Sequence, residues 1–213
     1  MRIQGLVLDH PGSANATTRT ETMRRHRHLP PLVLALTGAV LLGQGVYIHV
    51  KARLAQVLLE RAFADSIKTS HPVKPWSWAD TWPVARIEVK RIGASAIALA
   101  GSSGQALAFG PGHVERTAEV GERGVAVYSA HRDTHFRFLR NVAMGDEIDI
   151  TRSDGRRFHY RADFSAVVDF DASGIDPATQ GYELVLSTCW PFDLLASGPE
   201  RYILHATMVG TDG

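Results

Sequence analysis

Cysteine is almost absent from this chain: Cys189 is the only one in 213 residues. A single thiol cannot form an internal disulfide, so the fold must stand on its hydrophobic core even in an oxidising compartment. An excess of either charge is missing too, because 23 Lys and Arg against 22 Asp and Glu leave a formal net charge of +1. With the two signs mixed along the chain there is no extended basic face for a phosphate backbone, which argues against nucleic acid as a partner. The turn Gly101-Ser102-Ser103-Gly104 is not followed by the Lys-Ser or Lys-Thr of a phosphate-cradling loop. No cofactor is expected. Leu32 to Val50 contains no Asp, Glu, Lys or Arg.

What fills that last stretch is apolar except for Thr37, Gln44 and His49, and its length is close to the roughly 20 residues that cross a bilayer core. A buried core helix of this length would show a polar stripe. A cleaved signal would have a shorter apolar region, roughly 7 to 15 residues, and a small-residue cleavage site that is not evident after Tyr47. The expectation is therefore a single uncleaved transmembrane helix over 32–50. Arg24, Arg25 and Arg27 precede it and Lys51 and Arg53 follow, a thin positive-inside bias that favours a cytoplasmic N-terminus and an exported remainder. Met1 to Thr22 is polar and aperiodic and reads as disordered. Met23-Arg24-Arg25 resembles the start of an exported protein, which suggests that translation begins there.

Four regions follow: a cytoplasmic tail over 1–31, the anchor over 32–50, a helical stalk and linker over 51–75, and one folded domain over 76–213. The size and the 45% hydrophobic content suit one packed domain with an appendage. Leu54, Leu58 and Ile67 mark a candidate stripe along the stalk, which His71-Pro72-Val73-Lys74-Pro75 ends. Trp76, Trp78 and Trp82 suit a membrane-interface belt or a clamp across the outside of the domain; because they lead directly into a strand, we expect the clamp.

From Val84 onward the pattern is short strands separated by turn residues. Strands are expected over Arg86–Ile92, Ala96–Ala100, Gly124–Ala130, Glu147–Arg152, Arg156–Asp163, Phe164–Phe170, Leu184–Cys189 and Tyr202–Val209, with a helical turn near Gln105–Phe109. Ser153-Asp154-Gly155 closes a hairpin, Asp-Gly supplying positive φ. About eight strands with almost no helix and one core imply a mainly β, closed barrel.

Cys189 ends the apolar run Leu184-Val185-Leu186-Ser187-Thr188, and Pro191 stops the pairing just beyond it. Alternation puts Val185, Ser187 and Cys189 on one face and Leu184, Leu186 and Thr188 on the other. A buried, inert cysteine and a reactive one are both compatible with this segment alone. His131 ends another strand in the same way, and Arg201 opens the last strand twelve positions after the cysteine. If the three strand ends meet at one rim, a thiolate nucleophile, a proton-carrying imidazole and a permanently charged guanidinium converge there.

Leu186-Ser187-Thr188-Cys189, an arginine twelve residues later, and Ser129-Ala130-His131-Arg132-Asp133-Thr134-His135-Phe136 upstream together resemble the sortases, membrane-anchored cysteine transpeptidases. The resemblance covers about Trp76 to Val209, and Pro75–Pro83 with His131–Phe136 is most similar to the proteobacterial branch called class GN. It implies an eight-stranded sortase barrel with short helices, tethered to the inner membrane with its catalytic domain in the periplasm. It implies Cys189, His131 and Arg201 as catalytic residues, and as partners exported proteins carrying a C-terminal Leu-Pro-x-Thr-Gly-like sorting signal, with an amine acceptor. Thr188 is expected to pack or hydrogen-bond locally. Ser187 is small and polar and the residues after His131 are charged, which bears on substrate recognition more than on the chemistry.

Three rivals stand beside this reading. His131 and His135, with His113 and His205, suggest a metal site, but four residues of extended chain span about 13 Å and the zinc-protease glutamate is missing, so no metal is expected. His205 reads as a polar barrel residue and Asp133 as an exposed loop acid. A thiol peptidase would release the same thioester to water. A non-catalytic, membrane-tethered binding module would bury Cys189 in the core.

Overall fold

The computed structural model describes residues 29–176, 179–193 and 198–212. The expectations for Met1–Thr22 and for a start at Met23 lie outside the described residues. The chain divides into two compact units, residues 1–51 and 52–213. Helix α1, Leu29–Thr69, runs through both.

In the first unit α1 is long and apolar enough to cross a membrane. Leu34 and Leu42 expose about three quarters of their surface, at 75% and 74%.

In the second unit α1 changes character. Ala55, Leu59, Ala62, Phe63 and Ser66 are buried at three- and four-residue spacing, which marks one helix face. Leu59 and Phe63 pack against Ile97, Leu99 and Ala106, with Ile67 at the margin. Gln56 Nε2 donates to the Phe109 carbonyl at 2.8 Å, and Glu60 pairs with Arg86. The buried stripe thus lies beside the expected one: Leu54 is exposed, and Leu59 and Phe63 face the strands instead. After Ser70, with φ +57°, the chain turns back. Trp76 packs edge-on to Phe109 with ring centres 5.0 Å apart, whereas Trp78 is 80% exposed. The clamp is made by Trp76.

Eight strands follow: β1 Pro83–Val89, β2 Ala94–Leu99, β3 Gly112–His113, β4 Gly124–Ser129, β5 Glu147–Arg152, β6 Arg157–Asp169, β7 Tyr182–Cys189 and β8 Glu200–Asp212. They close into a barrel in the order β1-β2-β3-β4-β7-β8-β6-β5. The β2–β3 and β4–β7 pairs are parallel and the others antiparallel. Among the described residues, helical structure within the barrel unit beyond α1 is confined to α2 Gly104–Leu107, N-capped by the Ser103 hydroxyl, and 3-10 turns at Lys90–Ile92 and Arg137–Asn141.

The strand count agrees with expectation, but its make-up does not. The two strands expected over 156–163 and 164–170 are one strand, β6 Arg157–Asp169, which shifts register between Ala162 and Phe164. The eighth strand is the two-residue β3. In the β5–β6 turn only Gly155 takes positive φ, +88°, while Asp154 accepts from the Arg156 amide at 3.1 Å.

Alternation sorts the barrel's apolar residues into two sets. Ile87, Tyr128, Ile148, Ile150, Tyr160, Leu184, Leu186 and Leu204 fill the interior together with Phe136 and Leu139 from the segment after β4. Burying each such leucine or isoleucine stabilises by about 1.5–3 kcal/mol. Val125, Val127, Val185 and Ile203 have the opposite parity and form a separate cluster with Ala166, Val168 and Ile175, on the outer face of β4, β7, β8 and β6. The extra residue in β6 near Asp163 makes this second cluster continuous. Phe158, Tyr160 and Ala162 point inward but Ala166 and Val168 point outward, the flip a bulge produces.

Candidate active site

The outer cluster leads along three strands to the sequence-predicted residues. In the parallel pair β4–β7, Val127 faces Val185 and Ser129 faces Ser187. The Ala130 amide donates to the Ser187 carbonyl at 3.1 Å, extending the ladder by one bond. His131 lies two residues beyond Ser129 and Cys189 two beyond Ser187, so both carry the parity of the outer face. Across the antiparallel pair β7–β8, Cys189 stands opposite Arg201 and Ser187 opposite Ile203. The structure therefore brings His131, Cys189 and Arg201 to one end of three adjacent strands. They sit on the outer wall, above the Val127–Val185–Ile203 patch, rather than at a mouth opening into the barrel, which Leu184, Leu186 and Leu204 fill.

Each side chain has a defined setting. Cys189 is half-buried and unpaired. His131 is exposed. Arg201 is half-buried, its Nη1 donating to the carbonyls of Gly198 at 3.0 Å and Glu200 at 2.9 Å, with the guanidinium 6.0 Å from the centre of the Phe170 ring. Thr188 has the inward parity, is buried, and donates to the Ala130 carbonyl at 2.7 Å. It packs and bonds locally, as expected.

His113 and His205 have partners of their own, and His135 lies near His131. His113 is buried, with Nε2 2.9 Å from the Ala118 carbonyl and 3.2 Å from Thr117 Oγ1. His205 faces Val185 on the outer wall and stacks on Phe164 at 4.2 Å; burial pulls its pKa down, against Glu183 and Asp163. His135 is also held below the ordinary imidazole range, first by burial and then by the nearby His131. Asp133 is exposed. Among the described residues no three His, Cys, Asp or Glu gather as a metal site.

Sequence reasoning passed over the residues that frame this end of the barrel. Trp190, Phe192 and Tyr202 form a ring cluster with centres 5.1 to 6.0 Å apart. Arg132 and Arg140 reach the segment after Cys189, Arg132 Nη1 donating to Pro191 O at 2.9 Å and Arg140 Nη2 to Phe192 O at 2.9 Å. The Trp-Pro-Phe triplet was the one available signal. The carbonyls of Pro191 and Phe192 that these arginines reach are backbone groups, which leave no trace in a sequence.

A thiol, an imidazole and a guanidinium at one end of adjacent strands can carry nucleophilic acyl transfer. Comparison with known proteins points the same way. Residues 87–209 match the family model of the sortase domain. The chain is similar to sortase D of Bacillus subtilis (strain 168), 29% identical over 197 residues that cover 84% of this chain and 97% of that protein. Among solved structures it resembles a Clostridium perfringens sortase D5 transpeptidase, with TM-score 0.59, 24% identity, and 74% of this chain and 99% of that one covered. It also resembles sortase E from Streptomyces avermitilis, with TM-score 0.51, 29% identity, and 61% and 90% covered.

Proposed function

This chain belongs to the sortase family, whose members are cysteine transpeptidases acting on sorting signals, and from that premise we propose that Cys189, His131 and Arg201 are its catalytic residues. The observation that carries the assignment is the register that aligns Cys189 with Arg201 and, through Ser129–Ser187, with His131.

The Cys189 thiolate attacks the carbonyl carbon of a scissile peptide bond in a Leu-Pro-x-Thr-Gly-like signal. A C–S bond forms and the carbonyl electron pair moves to oxygen, where the Arg201 guanidinium stabilises it. Collapse of this adduct breaks the C–N bond while protonated His131 gives its proton to the departing amine. The thioester left on Cys189 is then attacked by an acceptor amine. Neutral His131 takes the amine's proton, a new amide bond forms, and the C–S bond breaks to restore the thiolate.

In this reading α1 anchors the protein in the inner membrane through 32–50, and the folded unit over 52–213 works in the periplasm on exported proteins, in the manner of class GN. The chemical test is intact mass of Cys189 after incubation with a panel of sorting-signal peptides. An acyl adduct that Cys189→Ala abolishes, and that an added amine discharges as an amide, is the expected result. Discharge to the free acid alone, with amine present, would make the protein a peptidase. Location is tested separately by membrane fractionation and protease access from the periplasmic side.

A further inference from the structure

The β4–β7 ladder stops short of the residues assigned to chemistry. Its last backbone bond among the described residues is Ala130 N to Ser187 O, at 3.1 Å. His131 and Cys189 lie beyond it, where parallel pairing no longer fixes one against the other. Proton transfer at a nucleophile requires heavy atoms within about 2.6–3.2 Å. A misplacement near 1 Å costs about a hundredfold in rate. Something else has to keep the two segments in register.

Four side-chain bonds do so. Thr188 Oγ1 donates to the Ala130 carbonyl at 2.7 Å, on the near side of the pair. On the far side Arg132, only 7% exposed, donates through Nη1 to the Pro191 carbonyl at 2.9 Å. Arg140 then donates through Nη2 to the next carbonyl, Phe192 O, at 2.9 Å, and through Nη1 to Asp193 Oδ1 at 3.0 Å. Its guanidinium lies 5.2 Å from the centre of the Phe192 ring. Arg140 belongs to the 3-10 turn Arg137–Asn141, whose Leu139 is fully buried, as is Phe136 just before it. The turn is therefore a fixed base.

We propose that Arg132 and Arg140 are positioning residues: they staple the segment after His131 to the segment after Cys189 and hold imidazole and thiol together beyond the end of the sheet. Two successive carbonyls, Pro191 and Phe192, meet two guanidiniums from one short segment. The planar fork of Arg140 takes a carbonyl and a carboxylate on two separate nitrogens, a fixed geometry that the single nitrogen of a lysine lacks. The proposal rests on the reading of Cys189 as nucleophile and His131 as its proton carrier, and its test separates the two.

Because Cys189 is the only cysteine, iodoacetamide uptake by the full chain in detergent, followed by intact mass from pH 5 to 9, reports on that thiol alone. The measurement is made on wild type, His131→Ala, Arg140→Met and the double variant. Arg140→Met keeps apolar bulk over Phe192 and removes both hydrogen bonds. A positioned imidazole makes His131→Ala change the alkylation rate by about tenfold near neutral pH. With the staple cut, the same substitution should change it by about threefold or less, a coupling between sites that loss of stability alone does not produce. Thr188→Val and Arg132→Gln, each paired with His131→Ala, should show the same loss of coupling. A His131 effect of equal size with and without Arg140, Arg132 and Thr188 overturns the staple and leaves the catalytic pair standing. No His131 effect in the wild type overturns the pair itself, and the staple with it.

Discussion

Cys189 and Arg201 stand directly opposite each other across the β7–β8 pair, and the Trp190 amide closes the ladder beyond them on the Glu200 carbonyl at 3.1 Å. Arg201 spends Nη1 on the carbonyls of Gly198 and Glu200. That hold fixes the guanidinium through Nη1, and in the proposed mechanism the fork's other nitrogens meet the oxyanion. Lysine at this position has one nitrogen for both tasks. Arg201→Lys should therefore lower kcat/KM for a sorting-signal peptide by about 10²–10³-fold, in line with removal of an oxyanion donor. Turnover like that of the wild type would remove Arg201 from the catalytic set.

The second half of α1 should prove part of the folded domain. Phe63 is buried against Ile97 and Leu99, with the Arg86 guanidinium 5.2 Å from its ring centre. Phe63→Ala should cost about 3–5 kcal/mol, because a cavity opens between helix and barrel. A chain starting at Ala52 should keep a cooperative urea transition, whereas one starting at Ser70 should lose it or aggregate, with Ile97 and Leu99 uncovered. Equal stability of the two truncated chains would contradict this packing.

These elements also show what a sequence displays and what it hides. The placement of Cys189, His131 and Arg201 at one end of adjacent strands was legible because each lies at the boundary of a strand whose alternation is plain. The barrel was legible for the same reason. Strand β3 was not, since two residues, Gly112 and His113, carry no period. Strand β6 was read as two because its bulge reverses inside and outside between Ala162 and Ala166, and a reversed pattern looks like a break. Of the stripe expected on α1, Ile67 packs with the covered set but Leu54 does not, because Leu54 and Leu58 are as apolar as Leu59 and Phe63. Only the position of Ile97 and Leu99 on β2 decides which set is covered. The outer-wall location of the site follows from barrel closure, which no local pattern encodes.

A pH-dependent contribution to stability is expected far from the catalytic end. His159 Nδ1 lies 2.5 Å from Asp149 and Nε2 3.2 Å from Asp212 on the last strand, while Lys90 Nζ lies 2.5 Å from the same Asp149. The hydrogen bond to Asp149 raises the His159 pKa above its ordinary 6.5, against the effect of burial. For Asp149 burial works upward, but Lys90 and His159 together bring it below its ordinary value. A raised histidine stabilises the fold fully below the unfolded-state pKa and loses that contribution as pH climbs through the folded-state value. The lowered carboxyl stabilises above its unfolded-state pKa and fails as pH falls through the folded-state one. His159→Gln should thus lower the melting midpoint by about 2–4 °C at pH 6, and by much less at pH 9. A deficit independent of pH would mean that packing, not charge, is what His159 supplies.

Two glycines with positive φ should respond differently to one methyl group. Gly121 has φ +84° and its amide donates to the Tyr160 hydroxyl at 3.2 Å; a Cβ there would run into the Phe158 ring, which is buried at the barrel's interior. Gly93 has φ +61° and open space where its Cβ would stand. Alanine at Gly93 meets only the left-handed backbone penalty, about 1 kcal/mol. Alanine at Gly121 meets that penalty and also displaces Phe158, which adds about 1–3 kcal/mol for overpacking a filled interior. Urea unfolding of the two variants should therefore rank Gly121→Ala well below Gly93→Ala. Equal midpoints would show that Phe158 can move aside, and that this end of the barrel is packed more loosely than its buried rings suggest.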